Sequence, residues 1–80
     1  MKVRVDVMLK EGVLDPQGKA IGHALETLGF KGVDAVRAGK VIEFDVAETN
    51  PDKAKETAKS MAEKLLANLV IEDYRVSLLS

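Results

Sequence analysis

Val3, Val5, Val7 and Leu9 alternate with Lys2, Arg4, Asp6 and Met8. That period of two predicts a first strand with one buried face. The pattern breaks across Lys10–Asp15 and returns with a helical period, Ile21, Ala24, Leu25 and Leu28 falling on one face. Asp15 stands just before Pro16. A carboxylate there accepts from a free amide of the first turn, and proline suits the first helical position because its missing N–H has no intrahelical partner. A helix from Pro16 to Leu28 is expected, with Gly29 as its C-cap and Phe30 covering its end. Val33–Arg37 reads as a second, weak strand, because alanine and aspartate are poor strand residues. Ala38 and Gly39 look like the centre of a tight turn into a third strand, Lys40–Val46, which makes a hairpin. Ile42, Phe44 and Val46 point one way there, and Glu43 and Asp45 the other. Asn50-Pro51-Asp52 repeats the capping device and starts a second helix, from Pro51 to about Ala67. Its expected buried stripe is Ala54, Ala58, Met61, Leu65 and Ala62, and Asn68 ends it. Val70–Leu79 holds a fourth strand, in which Tyr74, Val76 and Leu78 alternate with Asp73, Arg75 and Ser77.

The order β-α-β-β-α-β is the ferredoxin-like pattern of the α+β class. It predicts a four-stranded antiparallel sheet with both helices on one face. Right-handed crossovers then put strands one and three in the middle and strands two and four at the edges. The far face of that sheet carries Arg4, Asp6, Met8, Arg37, Glu43, Asp45, Asp73 and Arg75. It is polar and mixed in sign, suiting either solvent or a charged protein interface. Gly18 and Gly22, four apart, read as close packing of the first helix on the sheet.

Composition narrows the function. Eighty residues are expected to form a single domain, 1–80. A chain this short buries a small share of its surface, so a partner or oligomer would add stability. There is no cysteine, which removes disulfides and thiolate metal sites and suits the cytoplasm. No apolar run approaches the roughly 20 residues of a transmembrane helix, and the charged alternation from residue 2 is unlike a signal peptide. Twelve basic and thirteen acidic residues leave a net charge of -1. That balance argues against nucleic acid and against an anionic membrane as partners.

Candidate chemistry is sparse. His23 is the one histidine, and without a second nitrogen or sulfur ligand it is poor evidence for a metal. Glu43 and Asp45 share a strand face, but with Arg4 and Arg37 near they read as an ion-pair network rather than an acid–base pair. Lys10, Lys19 and the glycines around the first strand–helix junction suggest phosphate, yet phosphate-loop and dinucleotide spacings are absent and Asp15 would repel an anion. Arg37-Ala38-Gly39-Lys40 is a basic turn that suits a phosphate, a partner's acidic patch or an ordinary hairpin. These residues point to an assembling or regulatory subunit rather than to an active site.

Three blocks carry a resemblance. Val7–Ala20 (VMLKEGVLDPQGKA), Val36–Glu43 (VRAGKVIE), and Glu63–Asn68 with Val70–Tyr74 (EKLLAN, VIEDY) lie in order over nearly the whole chain. Together they resemble the PurS family, the small subunit of phosphoribosylformylglycinamidine synthase. The resemblance implies a non-catalytic subunit of a glutamine-dependent, ATP-consuming ligase. It would bridge a glutaminase and a large synthetase subunit while ammonia from glutamine is transferred to formylglycinamide ribonucleotide in purine synthesis. It implies a homodimer, or a pair of dimers when free. It also implies no cofactor bound by this chain alone, ATP, magnesium and glutamine being used by the complex. The partner-contact positions it implies are Asp15, Gln17 and Lys19, then Arg37, Gly39 and Lys40, then Asn68, Asp73 and Tyr74. In one departure, Leu69 stands where the family usually has proline, leaving Asn68 to stop the helix. Two other classes share the expected fold. A stand-alone regulatory domain would bind a small ligand at a dimer edge. An acylphosphatase-like enzyme would need an arginine in the loop after strand one, where this chain has Lys10 and Asp15.

Overall fold

The computed structural model describes residues 1–79. Among them it contains β1 (Lys2–Leu9), α1 (Pro16–Thr27), β2 (Gly39–Asp45), α2 (Pro51–Met61) with a π-helical turn at Ala62–Leu66, and β3 (Glu72–Leu78). The sheet is three-stranded, in the order β2-β1-β3, with both pairings antiparallel. Val3, Val5 and Val7 of the central strand are almost fully buried, as their alternation predicts. Val5 lies between Ile42 and Val76, and Val3 between Phe44 and Leu78. Directly opposed residues share a face, so these side chains form one apolar layer.

Helix α2 and the π turn cover that layer with Ala58 and Ala62, and Ala54, a turn earlier on the same stripe, is fully buried as well. They are four residues apart, one above another on the helix. A stripe of methyl groups lets the helix lie close to the valines of β1. The expected stripe is corrected at two positions: Met61 is partly exposed and Leu65 is 83% exposed. The helical backbone relaxes into the π turn, which closes with Ala67 N–H on the Ala62 carbonyl at 2.9 Å. Asn68 then stops it. Its carbonyl accepts from the amides of Ile71 (3.1 Å) and Glu72 (2.7 Å), and its side chain accepts from Val70 N–H at 3.1 Å.

The ferredoxin-like expectation fails at the second strand. Residues 33–38 pair with no strand. Three local causes act together. Gly32 and Ala35 have φ of +78° and +53°, which breaks an extended run. The Asp34 carboxylate takes the Ala35 amide at 2.8 Å, a turn-type contact. The segment is also drawn onto α1, where the Val36 carbonyl sits against Gly18. The expected Ala38–Gly39 turn is likewise absent. Gly39 opens β2 opposite Met8, and a Cβ there would strike Val7 and Met8. The strand expected in the middle of the sheet, β2, is therefore an edge, as is β3.

The second correction concerns α1, which has no substantial packing on any strand. Gly18 is the residue it buries. The two glycines do serve close packing, but against the returning segment at Val36 rather than against the sheet. At its end Leu28 is the C-cap and the expected Gly29, with φ +97°, lies one residue beyond it; Phe30 N–H reaches the Leu25 carbonyl at 3.0 Å, but its side chain stays exposed rather than covering the end. With this arm the molecule measures 48 × 26 × 15 Å and has a radius of gyration of 15.9 Å. A compact domain of this length has about 12 Å.

Asp15 holds the arm's base. One carboxylate oxygen caps α1 through Gly18 N–H at 2.8 Å. The other accepts from Ala38 N–H at 2.9 Å, 23 residues away. These amides, with that of Gln17 and the positive charge of Arg37, hold the carboxyl below the usual carboxylate range.

The glycine pair should separate in mutagenesis. A Cβ at Gly22 would meet Val36 Cγ2 at 3.4 Å, an ordinary contact. Gly22→Ala is therefore expected to raise stability, by up to about 1 kcal/mol of helix propensity. Gly18→Ala drives a methyl into the Val36 carbonyl and is expected to lower it. Chemical denaturation of both variants checks the opposite signs. Asp15 sets a pH dependence. Its depressed pKa means the folded state holds its proton less tightly than the unfolded chain. Its contribution is complete above the ordinary carboxylate pKa and is lost as pH falls through the depressed value. Unfolding midpoints measured from about pH 6 to about pH 2 should fall less steeply in Asp15→Asn than in the parent protein.

Candidate functional site

Two of the three sequence blocks meet at the end of β1 where the chain leaves for α1. The Asp15–Ala38 hydrogen bond joins them directly. The Arg37 guanidinium donates to the Leu9 carbonyl and lies 3.5 Å from Glu11. The third block docks beside them through Lys10 N–H on the Ile71 carbonyl, at 2.8 Å. The junction is thus built from backbone contacts of all three.

Of three hollows around it, two gather most of the expected positions. One, of about 410 Å³, is lined by Leu9, Asp15, Gln17, Gly39, Lys40 and Glu72. The other lies on the far face of the sheet. It measures about 420 Å³ and is lined by Asp6, Met8, Glu11, Arg37, Asp73 and Arg75. The first gathers Asp15, Gln17, Gly39 and Lys40 of the expected positions, and the second gathers Arg37, Asp73 and Tyr74. Lys19 stands outside both, beside Gly12–Leu14 on the arm side of the junction. Asn68 serves the turn before β3 rather than either hollow.

Tyr74 lies opposite Val7 on the helix-covered face, while Asp73 lies opposite Met8 on the far one. The Tyr74 hydroxyl donates to Glu63 Oε1 at 2.8 Å, tying β3 to the π turn. That carboxylate raises the phenol's pKa, so the hydroxyl keeps its proton. Arg4 and Asp6 form an ion pair at 3.0 Å on the far face, and Asp6 raises the guanidinium pKa. The network expected of Glu43 and Asp45 with Arg4 and Arg37 takes a different form: Arg4 pairs with Asp6 and Arg37 with Glu11, while Glu43 stands opposite Arg4 across the sheet.

Sequence reasoning missed Glu72 and Glu63. Glu72 lines the first hollow and accepts from Asn68 N–H at 2.7 Å. It lies inside the third block, so its place there was a signal. Glu63 is eleven residues from Tyr74, on a different element, and no spacing rule connects them. The charged side chains of the junction are tied to its own chain. Both oxygens of Asp15 are engaged by amides, and Arg37 is engaged by a carbonyl and a carboxylate. Gln17 and Lys40 are exposed at its rim.

Comparison with known proteins supplies the context. Residues 2–80 match the family profile of PurS, phosphoribosylformylglycinamidine (FGAM) synthase. The chain is 51% identical over 74 residues to the phosphoribosylformylglycinamidine synthase subunit PurS of Bacillus subtilis, covering 92% of this chain and 87% of that one. It is 44% identical over 75 residues to the same subunit of Methanocaldococcus jannaschii, covering 94% and 90%. Among solved structures, a chain of PurLQS from Thermotoga maritima superposes with a TM-score of 0.86 at 39% identity, covering 95% of this chain and 93% of that one. This chain belongs to the PurS family of phosphoribosylformylglycinamidine synthase subunits.

Proposed function

We propose that this chain is the non-catalytic subunit of a phosphoribosylformylglycinamidine synthase, joining the glutaminase subunit to the large ATP-dependent synthetase subunit. The complex uses glutamine, ATP and magnesium to convert formylglycinamide ribonucleotide into its amidine in purine synthesis. The observation that carries this reading is the match, over nearly the full length of both chains, to the PurS chain of the Thermotoga maritima PurLQS structure. The junction agrees with it, because its charged groups are spent on holding backbone. Among the described residues no helix is long and apolar enough to cross a membrane. We place the chain in the cytoplasm with its partners.

The contact surface is proposed to be the rim of the junction. Gln17, Lys19, Gly39 and Lys40 present one side of it, Arg37 and Asp73 the other, and Asp15, Asn68 and Tyr74 hold it in shape. A mixed-sign rim of this kind selects orientation and partner more than it adds affinity. A second copy of the chain is proposed to cover the arm, whose Leu28 and Phe30 are 73% and 57% exposed.

Reconstitution tests the main reading. The glutaminase and large subunits, mixed with glutamine, ADP and magnesium, are expected to form the full complex in size exclusion when this chain is added. Glutamine-dependent product formation with ATP is expected to depend on it equally. Assembly and activity that are complete without the chain would sink the reading. Lys40→Glu should weaken assembly with the chain's own fold unchanged, roughly tenfold if the rim charge meets an acidic partner patch. For self-association, light scattering of the chain alone should give a multiple of its 8.7 kDa mass. Phe30→Asp should shift that value toward the single chain, with unchanged circular dichroism.

A further inference from the structure

The α1 arm is about 18 Å long at 1.5 Å per residue and has no substantial packing on the sheet. Within the single chain its angle to the sheet is therefore set at its base. Five contacts lie there, and they differ in kind. Asp15 Oδ1 to Gly18 N–H is internal to the helix end and says nothing about the arm's direction. The Gly18 contact with the Val36 carbonyl joins the helix to its own returning segment. Arg37 reaches the Leu9 carbonyl and Glu11, but Glu11 is 92% exposed and both side chains are long and rotatable. Asp15 Oδ2 to Ala38 N–H is different. It runs from the first turn of α1 to the residue that precedes Gly39, where β2 begins. A short side chain with both oxygens engaged allows little swing.

We propose that Asp15 is a positioning residue, its second carboxylate oxygen fixing, through the Ala38 amide, the angle at which the α1 arm leaves the sheet. The arm and the junction rim are then held as one rigid surface for the partner subunits. The assembly half of this inference rests on the function proposed above, and the angle half does not. The chemistry requires a carboxylate. Asparagine supplies one accepting oxygen and a donating NH2, which cannot accept from a second amide. Serine has a single hydroxyl and is a good N-cap, but it is too short to reach Ala38 as well. Both substitutions retain one bond where the native residue makes two.

The test uses isotope-labelled full chain as the parent, Asp15→Asn, Asp15→Ser and Asp15→Ala. Amide exchange and residual dipolar couplings are measured on each, and affinity for the partner subunits follows. In Asp15→Ser the α1 amides are expected to stay protected, while the Ala38 amide exchanges roughly tenfold faster or more. The α1 couplings should shrink and no longer fit the alignment frame of the sheet, and affinity for the partners should fall roughly tenfold. Asp15→Asn should give the same freed arm, and Asp15→Ala should lose helix protection as well. Couplings of α1 that still fit the sheet's frame in both Asn and Ser variants would overturn the proposal. So would loss of α1 protection in Asp15→Ser equal to that in Asp15→Ala, since cap and clamp would then be one function. A freed arm with unchanged partner affinity would overturn the assembly half. Failure of the parent chain itself to bind the partners would remove the subunit reading, while exchange and couplings would still decide the clamp.

Discussion

The close seating of an alanine-faced helix on a valine-faced strand is the constraint on which the rest of the structure depends. Val3, Val5 and Val7 cluster with Ala58 and Ala62, and all five are almost completely buried. Small side chains on both surfaces bring the α2 backbone near β1, which is already hydrogen-bonded on both edges. The layer is thin, and two consequences follow. The larger apolar side chains of β2 and β3, such as Ile42, Phe44 and Leu78, pack around its margin rather than at its centre. The helix cannot continue indefinitely in its groove, and it loosens into the π turn where the chain must swing out to enter β3.

The parts of this design that are periodic were legible in the sequence. The alternation in β1, β2 and β3 points to the buried face of each strand, while the register between them is seen only in the structure. Asp15-Pro16 and Asn50-Pro51 gave both helix starts, and both caps form. What was not legible depends on competition between weak local preferences and long-range contacts. Val33–Arg37 has some strand character, but Gly32, Asp34 and Ala35 offer turn conformations, and the Gly18 surface gives Val36 a place to rest. No strand propensity encodes that choice. Met61 and Leu65 were assigned to the core because large apolar residues at helical spacing usually are. A core made of alanine leaves them outside. The junction was legible as a set of three blocks but not as a geometry. Glu72 was inside a block and overlooked, while the Tyr74–Glu63 contact had no signal at all.

The corrected fold changes what the surface offers. Losing the expected second strand exposes one edge of β2 and frees the segment that follows α1 to run back along the helix. The result is a flat sheet body with a projecting arm rather than a closed α+β layer. Such a shape buries little for its length, and exposed Leu28, Phe30, Leu65 and Val70 show where apolar area remains. Burying that area against other chains removes apolar surface from water and favours the folded state by mass action. A short chain with small side chains inside and large ones outside thus leaves apolar area that assembly can bury.

The same economy governs the polar groups. Asp15, Arg37, Asn68, Glu72 and Tyr74 are spent on backbone amides, carbonyls and one another. A carboxylate that accepts from two amides is held in its charged form, and a phenol that donates to a carboxylate is held in its neutral form. Groups fixed in this way are poorly poised to exchange protons near neutral pH. They are well suited to holding loops at fixed distances. Chemistry in a multi-subunit ligase needs at least one component whose task is geometry, since reacting groups carried on separate chains must be brought into register. The junction, where three segments distant in sequence are tied by short bonds, has the construction such a component requires.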